Sequence, residues 1–121
     1  MKKTLAVLAF LVLTGFEGCS TVPQSPQQAV YSAKSNYAVA LAVAVAYKGL
    51  PRCAVGAPVV CSKPDVVLTL QKVDIASSAL LDAAEATVRT EGAGANAQTA
   101  VKAAEQAVGA FQTIVSVLQT K

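Results

Sequence analysis

The chain has 121 residues, enough for a single domain, with a net charge of +3 and only 14% charged residues. That balance excludes the charge-rich composition of a disordered chain, and its scattered basic residues form no electrostatic footprint for nucleic acid. Hydrophobic residues make up 54% of the chain but aromatics only 5%. The apolar content is dominated by Ala, which buries little area per residue, so the core is expected to gain from a disulfide, a membrane or a partner chain. There is no His, which removes the commonest general base and the commonest metal ligand.

Met1-Lys2-Lys3 opens the chain with positive charge, and an apolar run from Leu5 to Leu13 follows. A charged head, a short apolar stretch and a small residue at Gly18 make the pattern of a secretory signal, here residues 1–18. The run is too short to span a bilayer, which takes about 20 apolar residues. Removing it takes away Lys2, Lys3 and Glu17 and leaves eight basic and six acidic residues.

Phe16-Glu17-Gly18-Cys19 resembles the lipobox of bacterial lipoprotein precursors, in which an apolar residue, two small residues and a Cys follow one another. Gly18 and Cys19 match, Phe16 stands for the usual Leu, and Glu17 departs from the pattern at a position that normally takes a small uncharged side chain. The resemblance implies an acyl chain on Cys19, and hence a lipid-anchored protein. Ser20, where lipoproteins retained in the inner membrane often carry Asp, implies the outer membrane. An ordinary cut near Gly18, leaving a soluble periplasmic protein, is the alternative. The cysteine count favours the anchor: three cysteines is an odd number for an exported chain, and acylation of Cys19 leaves Cys53 and Cys61 to pair.

Residues 19–24 form the anchor and a short tether, reaching about 20 Å when extended. The helical domain is residues 25–121. Ser25-Pro26-Gln27-Gln28 is a helix start: Ser25 caps, Pro26 suits the first helical position and Gln28 completes a capping box. The helix is predicted to run to Lys48 and to stop at Gly49-Leu50-Pro51, with Gly49 left-handed. Between Tyr37 and Tyr47 Ala alternates with Val39, Leu41, Val43 and Val45. Alternation suits a strand, but both sets are apolar and the caps argue helix. Being apolar on nearly every side, this stretch suits the centre of a bundle or an interface carrying Tyr37, Leu41 and Val45. Tyr37 and Tyr47 are either side chains placed at headgroup depth or two amphipathic residues at the ends of the apolar run.

Pro51 to Ser62 holds two Pro and a Gly and reads as a loop. Cys53 and Cys61, eight positions apart, are expected to form a disulfide in an oxidising compartment. No CxxC spacing supports metal or redox chemistry, and no metal or other cofactor is expected. Ser62-Lys63-Pro64-Asp65 opens a second helix, whose apolar stripe is predicted at Val66, Leu70, Val73, Ser77, Leu80, Ala84 and Thr87, broadened by Leu81 and Val88. It ends at Glu91-Gly92-Ala93-Gly94. Asn96 is expected to cap a third helix, in which Ala97, Val101, Ala104, Val108, Phe111, Val115 and Leu118 repeat at four-three spacing. That stripe is either an ordinary core or a partner seam, and Val101, Val108, Phe111, Val115 and Leu118 are the interface candidates on it.

The expected fold is therefore all-α: a small antiparallel three-helix bundle with a disulfide-closed loop between helices 1 and 2. Asp82 and Glu85 share a helix face but read as solvated charge, and no nucleophile elbow or phosphate loop occurs, so no enzyme is expected. The whole resembles the small lipoproteins of bacterial and prophage genomes, whose tasks include lysis and superinfection exclusion. The expected partners are a membrane, reached through the N-terminal lipid, and an envelope protein or a second copy of the chain, with no nucleic acid. The alternative is a soluble periplasmic module holding an apolar ligand between Ala-lined helices.

Overall fold

Local chemistry sets the first helix. In the computed structural model, which describes residues 24–119, the Gln28 N–H donates to Ser25 Oγ at 3.3 Å and the Ser25 N–H donates to Gln28 Oε1 at 3.0 Å. This reciprocal capping box satisfies two N–H groups that no helical carbonyl reaches. Helix α1 runs Pro26–Lys48, α2 Pro64–Glu91 and α3 Ala95–Gln119. The signal residues 1–18 and Cys19 lie outside the described residues.

Three local details differ from expectation. Gly49 has φ −73°, an ordinary helical value, rather than a left-handed one. The Leu50 N–H donates to the Tyr47 carbonyl at 3.2 Å, so the last turn tightens, and the chain stops because Pro51 has no N–H to continue it. The left-handed turn comes instead at Gly92, with φ +64°, a value that disfavours any side chain. It brings α3 in early: the Gln98 N–H donates to the Gly94 carbonyl at 3.1 Å, leaving Asn96 inside the helix, where its amide donates to Glu91 Oε1. Along α2 the buried set is Leu70, Ser77, Leu81, Ala84 and Val88, whereas Leu80 is 38% exposed and Thr87 only half-buried. A straight helix drifts by about 20° per heptad against a strict 3.5-residue repeat, which moves the stripe from Leu80 to Leu81 and from Thr87 to Val88.

The helices pack up, down and up. Val30 and Lys34 of α1 lie beside Glu85 and Val88 of α2, while Tyr47 meets Lys63, so α1 and α2 are antiparallel. Ser77 of α2 reaches the Ala107 carbonyl of α3. The Gly-rich α2–α3 turn thus shares an end with the start of α1, and the disulfide loop sits at the other end beside Leu118.

Two groups of side chains form the core. Ala29, Val30, Ala33, Leu81, Ala84, Val88, Ala97, Val101, Ala104 and Val108 fill the half nearer the start of α1. Ala40, Ala44, Leu70, Phe111 and Val115 fill the half nearer the disulfide. Tyr37 packs against both. Its ring meets Phe111 at a centroid distance of 5.9 Å and a tilt of 49°, a favourable aromatic geometry. Small residues at Ala33, Ala40 and Ala44 let α1 approach its neighbours closely. The one buried hydroxyl within the helices, Ser77, is satisfied by donating to the Ala107 carbonyl at 3.3 Å.

Candidate functional site

The interface candidates separate into two groups. Val101, Val108, Phe111 and Val115 are buried inside the bundle; the α3 stripe is ordinary core, and these side chains are not open to a partner. Leu118 and Leu41 are half-buried against the core half near the disulfide. Val45, at 60% exposure, stays outside.

Both tyrosines are spent on the fold rather than aimed outward at headgroup depth. The Tyr37 hydroxyl donates to Asp74 Oδ1. Burial, reinforced by that hydrogen bond and by the nearby Asp74 charge, pushes the hydroxyl up to about 12 from its ordinary 10.0. The Tyr47 hydroxyl accepts the Lys63 N–H at 3.0 Å. Lys63 occupies the cap position of α2 and supplies no side-chain cap of its own, so Tyr47 ties the end of α1 to the start of α2.

Asp82 and Glu85 do not form a working acid pair. Glu85 receives Lys34 from α1 on one oxygen and Arg89 from its own helix on the other. The Lys34 hydrogen bond, followed by the Arg89 charge, holds its carboxyl below the usual range. Asp82 is exposed. This cluster joins helices at the end where α1 begins. Among the described residues no group of three or more His, Cys, Asp or Glu side chains is placed to hold a metal.

Where the Ala stripes of the helices meet, the packing is tight. Ala84, Ala97 and Ala104 are at most 1% exposed, and the α1–α2 cleft beside Leu41, Val45 and Leu70 measures about 180 Å³. Pockets that enclose a ligand run to roughly 300–1,000 Å³. A larger hollow of about 460 Å³ lies at the disulfide end, where Lys48, Arg52 and Gln71 contribute polar walls. α1 is long and apolar enough, by length and composition alone, to cross a membrane; here it packs as one of three helices around a shared core.

The most distinctive surface is the disulfide loop. Cys53 and Cys61 are bonded, with Cα atoms 5.0 Å apart. Beneath the ring the Ser62 N–H donates to the Pro51 carbonyl at 2.8 Å and the Cys53 N–H to the Ser62 carbonyl at 3.0 Å. The buried Ser62 hydroxyl donates to the Leu50 carbonyl at 3.0 Å. Farther out, the Ala57 N–H donates to the Ala54 carbonyl at 2.9 Å, and Gly56 takes φ +83°, a turn that favours Gly. The loop thus stands as a braced projection whose Val55 and Val59 are fully exposed. Reading by motif does not single it out. Its signal is the uncharged run from Ala54 to Val60, in a segment class that is usually polar.

α1 is framed by two fixed points, the capping box at Ser25 and the Tyr47–Lys63 bond, which also ties the far end of the loop to α1. Comparison with protein-family models, with characterised proteins and with solved structures finds no match to this chain.

Proposed function

We propose that this protein is a lipid-anchored protein of the bacterial envelope, held by an acyl chain on Cys19 at the periplasmic face of the outer membrane, and acting by contact rather than catalysis. The observation that carries the reading is the cysteine arithmetic. Cys53 and Cys61 are bonded to each other, which leaves Cys19 as the third cysteine, in the lipobox-like setting Phe16-Glu17-Gly18-Cys19. An exported chain with one cysteine outside its disulfide calls for a use for that thiol, and acylation supplies one. The work is done through a protein surface, toward an envelope protein or a second copy of the chain, in a structural, assembly or inhibitory role. Polar side chains that would draw attention as chemistry, namely Tyr37, Asp74, Glu85 and Lys34, are engaged in holding helices together.

The test is metabolic labelling with a radioactive fatty acid, comparing the full chain with Cys19→Ala and separating the two membranes. Label that depends on Cys19 and travels with the outer membrane is expected. An unlabelled protein free in the periplasm overturns the proposal.

A further inference from the structure

The disulfide end gathers exposed apolar surface and positive charge in one place. Val55 and Val59 are 108% and 103% exposed and Val60 63%, so the first two gain nothing from folding and Val60 keeps most of its surface open. The seven residues between the cysteines, Ala54-Val55-Gly56-Ala57-Pro58-Val59-Val60, carry no charge. The ring and its hydrogen bonds to Ser62 brace the base of the loop. Around that base Lys48, Arg52 and Lys63 are exposed, with Asp65 the one acid. The rest of residues 24–119 holds four basic and five acidic residues, so the positive character belongs to this end.

Apolar side chains on a braced loop, collared by cations, fit a surface that is apolar beneath and anionic at its rim. A bilayer with acidic lipids has that profile: apolar transfer into it needs no directional match, and the cations meet its phosphates. A protein-binding hot spot usually centres on Trp, Tyr or Arg in a pocket, and this tip has only small aliphatic residues. At the tip the Ala57 backbone donor is already paired with the Ala54 carbonyl, which lowers its penalty of approaching lipid, and Pro58 has no donor to satisfy.

We propose that the Cys53–Cys61 loop is a membrane-inserting tip. Val55, Pro58, Val59 and Val60 enter the headgroup–acyl boundary of an anionic bilayer, and Lys48, Arg52 and Lys63 engage its phosphates. The tip lies at the opposite end of the bundle from the start of α1, so this inference does not rest on the Cys19 anchor.

The chain has no Trp, which makes an introduced indole an unambiguous reporter. The experiment uses the full chain with Cys19→Ala, carrying either Val59→Trp at the tip or Ala93→Trp in the turn at the other end. Each is mixed with phosphatidylcholine vesicles, with and without roughly one-third phosphatidylglycerol, some bearing bromine on their acyl chains. Emission from position 59 is expected to shift to the blue and to be quenched by the bromines on anionic vesicles only, while position 93 keeps its aqueous spectrum. Val55→Asp beside Val59→Trp weakens partitioning at least about tenfold, and Arg52→Gln or Lys63→Gln weakens it roughly fivefold each, with helical circular dichroism retained. An aqueous spectrum at position 59 on anionic vesicles, equal binding to neutral ones, or indifference to the three substitutions overturns the tip. So does a spectral change at position 59 that only an acidic protein produces. A shift at position 93 alone places the contact at the other end, overturning the tip while leaving the anchor standing.

Discussion

Removing the hydroxyl of Tyr37, by Tyr37→Phe, separates what its ring does from what its O–H does. The ring contact with Phe111 and with both halves of the core survives, while the bond to Asp74 is lost. A hydrogen bond to a charged acceptor is worth about 1.5–3 kcal/mol. Asp74 is only half-buried and rehydrates when the donor goes, so the variant should be less stable by about 1–2 kcal/mol near neutral pH. The sign of the pH dependence follows from the raised value. In the folded state Tyr37 keeps its proton up to about 12, against 10.0 ordinarily, so the contribution is whole below pH 10 and is lost as pH rises toward 12. By linkage, about 1.4 kcal/mol has gone by about pH 11, where the unfolded chain is mostly ionised at this position and the folded one mostly is not. The wild-type advantage should therefore nearly vanish there, whereas other alkaline effects, shared by both proteins, cancel in the difference. Urea unfolding followed by helical circular dichroism at neutral and alkaline pH measures it. A gap that keeps its size across that range, or no gap at neutral pH, refutes the assignment of the proton to a Tyr37–Asp74 bond.

Replacing both bridge cysteines, Cys53→Ser with Cys61→Ser, should lower stability by about 2–3 kcal/mol, the chain-entropy value for so short a ring; urea midpoints under oxidising conditions give the comparison, and an unchanged midpoint contradicts it. Gly109→Ala should stabilise by about 0.5–1 kcal/mol, because a Cβ there meets nothing within 4 Å; a loss of stability would show that α3 packs differently at that point. Glu85→Gln should lower the thermal midpoint near neutral pH and remove part of the acid dependence. The lowered carboxyl of Glu85 contributes above its ordinary value and ceases to do so as pH falls through its folded value, and parallel melting curves for the two proteins across that range would contradict the Lys34–Glu85–Arg89 arrangement.

Three helices, the Ser25–Gln28 capping box and the Cys53–Cys61 bond are legible in the residues because each rests on local chemistry or on a long repeat. The stripe on α3 is read almost residue for residue, since its period runs uninterrupted over three heptads. α1 is the opposite case. With Ala and Val alternating and no wet face marked, hydrophobicity alone points the larger residue inward, yet Ala40 and Ala44 are buried at 1% and 7% while Val39 and Val45 stand 65% and 60% exposed. Close approach of the neighbouring helices selects the smaller side chain, and that selection exists only once three helices meet. The same holds for Tyr37 and Tyr47: their flanking positions fit either headgroup placement or amphipathic residues at the ends of the apolar run, and only the arrival of Asp74 and Lys63 from elsewhere in the chain ties both into the fold. The exposed tip escapes motif reading because its meaning lies in exposure, which no spacing encodes.

The odd number of helices has a topological consequence. A bundle with an even count returns the chain to the end at which it entered, but this one takes the polypeptide in beside the α2–α3 turn and releases it after Gln119 next to the disulfide loop. With α3 about 38 Å long at 1.5 Å per residue, entry and exit are set apart by the full height of the domain. A protein fused behind Gln119 would thus be carried on the same side as the loop, and its bulk would shield the exposed Val55 and Val59 from large partners.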